Sequence, residues 1–154
     1  MDAKLINPFV DAFITVMPML GFQEPTRTKL YAASARAKSL GVSVLVGFTK
    51  QIRGNVVYNM SEDTAKFIAS TMMMGMPVES FDEMAQSAIS ELSNMLTANT
   101  ATNITGLGLD VDISTPSLTV GSDFEVKISD GQYLVVEMDL SGKLVELDIA
   151  VDQN

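Results

Sequence analysis

The spacing of apolar residues along this chain switches from helical to alternating, back to helical, and then to alternating again, and few architectures accommodate that order. Leu5, Phe9, Phe13, Val16 or Met17, and Leu20 recur every three or four residues, the period of a helix with one buried face. Gly21 stands where a helix C-cap glycine belongs, and Pro18 falls in the last turn. Residues 23–41 mix small, polar and basic side chains and read as a loop with a short strand near Leu30 to Ala32. From Val42 to Thr49 the apolar Val42, Val44, Val46 and Phe48 alternate with Ser43, Leu45, Gly47 and Thr49. A turn over Lys50 to Arg53 leads into Gly54 to Met60, which predicts a hairpin. Ser61 then caps a helix whose first turn carries Glu62 and Asp63, matching the positive end of its dipole. Ala65, Ile68, Ala69 and Met72 form its buried stripe, and Gly75 with Pro77 stops it.

The next helix opens on Ser80-Phe81-Asp82-Glu83, a Ser-x-x-Glu capping box, and runs to about Ile104, ended by Gly106 and Gly108. Beyond it the period is two: Leu109 to Ser114, Phe124 to Ser129, Gln132 to Asp139 and Lys143 to Val151. Asp130-Gly131 and Ser141-Gly142 supply hairpin turns. This order of elements predicts an α+β fold in one domain over residues 1–154, a mainly antiparallel sheet with about three helices packed on it.

The missing residue types narrow the chemistry. With no Cys and no His among 154 residues, a thiolate nucleophile, an imidazole base and the usual zinc ligands are all excluded. Any catalysis rests on carboxylates, amides, hydroxyls, Lys or Arg. No apolar run reaches the length of a membrane-spanning helix. Asp2, Lys4, Asp11, Pro8 and Pro18 interrupt the apolar N-terminus, so it reads poorly as a signal peptide. A cytoplasmic protein without membrane insertion is expected. The net charge of −9 divides unevenly: residues 1–77 hold eight bases and five acids, residues 78–154 two bases and fourteen acids. So acidic a second half argues against nucleic acid as a partner.

The helix from Met84 to Ile104 carries the most information. On a wheel, Met84, Ala85, Ala88, Ile89, Leu92, Met95 and Leu96 share one face, expected to be buried. The opposite face shows Ser87, Ser90, Glu91, Ser93, Asn94, Thr97, Ala98 and Ala101, and Glu91 is the only charged residue between Glu83 and Asp110. Glu91 and Asn94, three apart, are neighbours on the helix surface. Ser87 and Ala98 flank them one turn away on either side. Small residues around two functional groups describe a docking face. Glu-x-x-Asn alone is too short to be specific and also fits an ordinary solvated face.

Glu91-Leu92-Ser93-Asn94-Met95-Leu96 resembles the Glu-x-x-Asn motif of the CheC/CheX/FliY chemotaxis phosphatases, in which a Ser or Asp often stands four residues before the Glu, as Ser87 does. Leu5-Ile6-Asn7-Pro8-Phe9 looks like the opening helix of the CheX branch. Val46-Gly47-Phe48-Thr49, Gly54-Asn55-Val56-Val57 and Ala65 to Gly75 resemble the family's hairpin and following helix. Asp112-Ile113-Ser114-Thr115-Pro116 resembles the strand after its catalytic helix. Of eight glutamates only Glu91 is followed three residues later by Asn; CheC-type proteins usually carry two such motifs, so a single one favours the CheX branch. Ala98 and Ser93 stand where family members often have glycine. The FliY branch usually adds a C-terminal switch domain, for which no room is expected after Asn154.

The resemblance implies a phosphatase acting on the aspartyl phosphate of a CheY-type receiver domain. Asn94 would orient the attacking water and Glu91 would pair with the receiver's active-site Lys, with Ser87 and Ala98 in the contact. The chain would need no cofactor or metal of its own, the Mg2+ belonging to the receiver. A non-catalytic receiver-binding adaptor is the alternative. Family members pair through their sheets, so a homodimer is also implied, with the alternating run from Lys143 to Val151 expected at an unpaired edge.

Overall fold

The computed structural model describes residues 3–154; Met1 and Asp2, the latter counted in the charge and leader arguments, lie outside it. A short 3-10 turn precedes α1 (Asn7–Met19), followed by β1 (Thr26–Lys38), β2 (Gly41–Lys50), β3 (Ile52–Met60), α2 (Glu62–Met72) and α3 (Glu83–Thr105). Then come β4 (Val111–Ile113), β5 (Ser117–Gly121), β6 (Glu125–Leu140) and β7 (Lys143–Gln153). The strands form one antiparallel sheet in the order β1-β6-β7-β3-β2-β4, with β5 also pairing β2. The expected α+β class with three helices on an antiparallel sheet holds.

The local chemistry explains most boundaries. Gly21 adopts φ +100° after α1, and the Phe22 N–H reaches back to the Met17 carbonyl at 3.3 Å, closing the helix as the left-handed C-cap does. The Ser61 hydroxyl accepts from the Thr64 N–H at 3.1 Å. Ser141 and Gly142, at φ 54° and 83°, turn β6 into β7 as a two-residue loop with both centres left-handed must. The main core lies between the sheet and the helices, where Phe9 meets Phe48 edge-on at 5.4 Å and Ile68, Ile89, Leu92, Leu147 and Ile149 are buried. A smaller cluster, including Val57, Ile128, Tyr133, Val135 and Ala150, forms on the other side of the sheet.

Several expectations need correction. Residues 26–38 are a thirteen-residue strand, not a loop. β1 is an edge strand that leaves most side chains exposed, so pairing with β6 forms it, and no burial pattern marks it in the sequence. Asp130-Gly131 is not a hairpin turn. β6 runs through it, and the β1 register jumps from Ser34↔Gln132 to Arg36↔Lys127, looping residues 128–131 out as a large bulge. A Lys127–Asp130 ion pair of 2.7 Å spans the bulge. β7 is not at an edge either, because it lies between β6 and β3. At the start of α3 the cap is Asp82, whose carboxylate accepts from the Ala85 N–H at 2.9 Å, rather than Ser80.

The buried face of α3 is also rotated from the expected one. Met84 is exposed, whereas Ser93 and Thr97 are buried beside Ile89, Leu92 and Leu96. Hydroxyls tolerate this burial because each donates to the carbonyl one turn back: Ser93 to Ile89 at 3.0 Å, Thr97 to Ser93 at 2.6 Å and Thr100 to Leu96 at 2.9 Å.

Candidate functional site

The rotation of α3 leaves the motif stripe outside. Ser87, Glu91, Asn94 and Ala98 are all exposed, at spacings of four, three and four that align them along one side of the helix. Thus the structure brings together all four expected site residues. The Glu91 and Asn94 side chains enter none of the hydrogen bonds or ion pairs found among the described residues; the cations Lys50, Lys66 and Lys127 pair elsewhere.

Beside the pair lies an open depression of about 490 Å3. Gln86, Ser87, Ser90, Glu91 and Asn94 form its helical side, with Glu83 at one end and Leu118 of β5 as its apolar wall. The Gln86 amide is held by donating to the Phe81 carbonyl at 3.1 Å. Leu118 escaped the sequence analysis because β5 did. Its signal was the alternation Ser117-Leu118-Thr119-Val120, short enough to pass for a connection. A larger cavity, about 710 Å3, sits at the other end of α3 among Leu5, Pro8, Asp11, Thr102 and Leu107. Size does not make it the better candidate: a surface that receives another protein need not be deep, and although Asp11 and the amides Asn7, Asn103 and Gln153 line this cavity, Asn103 is already engaged, donating to the Pro8 carbonyl at 3.0 Å.

Beneath the stripe, the buried side of α3 is polar at the same level. The Tyr58 hydroxyl of β3 lies 3.2 Å from Thr97 Oγ1, and burial pushes the phenol up to about 12, so it stays protonated. Chemically, the outer face offers a carboxylate able to accept from a cation and an amide able both to donate and to accept. Among the described residues no group of three carboxylates is arranged to hold a metal ion, and no helix is long and apolar enough to cross a membrane.

Residues 42–139 match the family model described as chemotaxis phosphatase CheX. A protein of Thermotoga maritima named CheY-P phosphatase CheX is 34% identical over 128 residues, 82% of each chain. Among solved structures, a CheC-like superfamily protein from a Shewanella species superposes with a TM-score of 0.86 at 26% identity, covering 99% of both chains. A CheX–CheY–BeF3–Mg2+ complex from Borrelia burgdorferi superposes with a TM-score of 0.82 at 28% identity, covering 97% of this chain and 98% of that one. With the fold, the single Glu–Asn stripe and the match in agreement, the chain belongs to the CheX family of chemotaxis phosphatases.

Proposed function

We propose that this protein hydrolyses the aspartyl phosphate of a CheY-type receiver, docking it on the exposed stripe of α3. The observation that carries the reading is the pairing of Glu91 and Asn94 on one exposed line, unengaged by other described side chains. An aspartyl phosphate is an acyl phosphate that water already attacks slowly, so catalysis needs a placed water and a fixed pose rather than a covalent intermediate. Asn94 enters the receiver's pocket and orients that water. Being neutral, its amide does not repel the phosphoryl oxygens as a carboxylate would. Glu91 accepts from the receiver's active-site Lys and fixes the docked pose. Ser87 and Ala98 keep the approach low on either side. The Mg2+ sits on the receiver.

Two features support the docking geometry. The stripe carries no charge other than Glu91 between Glu83 and Asp110, which avoids repelling an acidic receiver pocket. The receiver complex of the Borrelia burgdorferi relative, similar over nearly its whole length, supports a receiver as the partner. We also propose a homodimer that leaves both α3 stripes free. Its favoured contact is the outer edge of β1, where Leu30 and Tyr31 are exposed beside unpaired backbone groups.

The test is the lifetime of a phosphorylated receiver from the same genome with and without the protein. A marked shortening at substoichiometric protein supports catalysis. An unchanged or lengthened lifetime in the presence of binding makes the protein an adaptor and overturns the reading.

A further inference from the structure

Helix α3 meets the sheet mostly through apolar side chains, and such packing is non-directional. It holds a helix down without fixing its rotation to better than side-chain repacking allows. A water-orienting amide needs more, since a misplacement of about 1 Å can cost a hundredfold in rate. One directional contact between the sheet and α3 lies close to Asn94. Thr97 Oγ1 is 2.6 Å from the Ser93 carbonyl and 3.2 Å from the Tyr58 hydroxyl. A threonine hydroxyl has one hydrogen, and here it goes to the Ser93 carbonyl. The Tyr58 O–H is therefore the donor to Thr97. The relay runs from Tyr58 through Thr97 to the Ser93 carbonyl, which belongs to the peptide group joining Ser93 to Asn94.

Tyr58 is itself well anchored. It sits in β3, paired to Val44 of β2 on one side and to Leu147 of β7 on the other, and is 3% exposed. A phenylalanine would fill the same space without the cost of desolvating a hydroxyl, so packing alone does not call for tyrosine here. We infer that Tyr58 is a positioning residue for the phosphatase reaction: its hydrogen bond to Thr97 sets the rotation of α3 at the Ser93–Asn94 peptide and so fixes where the Asn94 amide points. This role rests on Asn94 acting as proposed above.

The experiment measures receiver dephosphorylation under saturating and subsaturating receiver for Tyr58→Phe, Thr97→Val, the double variant and Thr97→Ser. Each of the first two should lower turnover about tenfold with KM within about twofold, the pattern of a group that matters in the transition state. The double variant should be no worse than the poorer single one, because both cut the same relay. Thr97→Ser keeps the hydroxyl and should retain most of the activity, while circular dichroism and melting confirm that the variants fold. Wild-type turnover in folded Tyr58→Phe overturns the role while leaving the proposed function standing. So does additive loss in the double variant, or equal loss in Thr97→Ser and Thr97→Val. A wild-type protein that does not shorten the phosphate lifetime overturns the function and this role with it.

Discussion

Glu91 and Asp148 are both carboxylates without a hydrogen-bond partner among the described residues, and they occupy opposite environments. Glu91 stands exposed on α3, where water solvates its charge and leaving it unpaired costs little. Asp148 lies on β7, on the face of the sheet away from the helices, fully buried with neither oxygen hydrogen-bonded. Burial, reinforced by Glu146 nearby, pushes its carboxyl up to about 9. The difference separates two meanings of an unpartnered acid. The exposed one is available to a cation on another protein; the buried one is a stability cost that the fold tolerates by keeping it protonated.

The comparison breaks most readily where a charge is moved from one environment to the other. Ser93→Glu places a carboxylate on the buried side of α3, where Ser93 is 1% exposed, and should cost about 3 kcal/mol or more. A melting temperature near the wild-type value would show that α3 is rotated from this structure. Asp148→Asn makes the reverse test. Burial holds the folded carboxyl up at about 9, far above the ordinary aspartate value of about 4, so between these the folded state keeps a proton that the unfolded chain releases. Stability from this group is full below about pH 4 and is lost as pH rises towards 9, by up to about tenfold in the folding equilibrium per pH unit. The Asn variant should flatten that slope and gain stability at pH 8. Denaturant titrations from pH 5 to 9 that stay parallel for both proteins would contradict the burial of this group.

Smaller effects on stability should accompany large effects on docking. Ala98→Glu adds bulk and a negative charge to the exposed stripe at a cost of only about 0.5 kcal/mol, yet should weaken receiver binding sharply. Binding unchanged by titration calorimetry would place the contact elsewhere. Glu91→Ala should leave stability within about 0.5 kcal/mol and raise KM more than it lowers turnover, so that high receiver concentration partly restores the rate. A loss wholly in turnover would give Glu91 a role in the chemistry itself.

These cases show which parts of the molecule were legible in the sequence. The β2–β3 hairpin, the Ser61 cap, the glycine ends of α1 and α3 and the Ser141-Gly142 turn were readable, because each depends on side chains within a few residues. So was the Glu91/Asn94 stripe, since helical spacing alone places Ser87, Glu91, Asn94 and Ala98 in a line. β1 was not, because an exposed edge strand is made by its partner's backbone, which local composition does not encode. The Asp130-Gly131 bulge looks locally like a hairpin, and only β1 pairing on both sides of it tells them apart. The rotation of α3 was hidden because Ser93 and Thr97 count as polar on a wheel, although their hydroxyls are satisfied by the helix itself. Leu118 was missed with its short strand.

The central claim is that Asn94 orients the attacking water while contributing little to docking or folding. The most direct measurement is single-turnover dephosphorylation of a saturating complex between Asn94→Ala and its phosphorylated receiver. The account predicts an aspartyl phosphate decaying at the receiver's own rate, a loss of about a hundredfold or more relative to wild type, with binding and melting temperature essentially unchanged. Decay at the wild-type rate in that complex would contradict it.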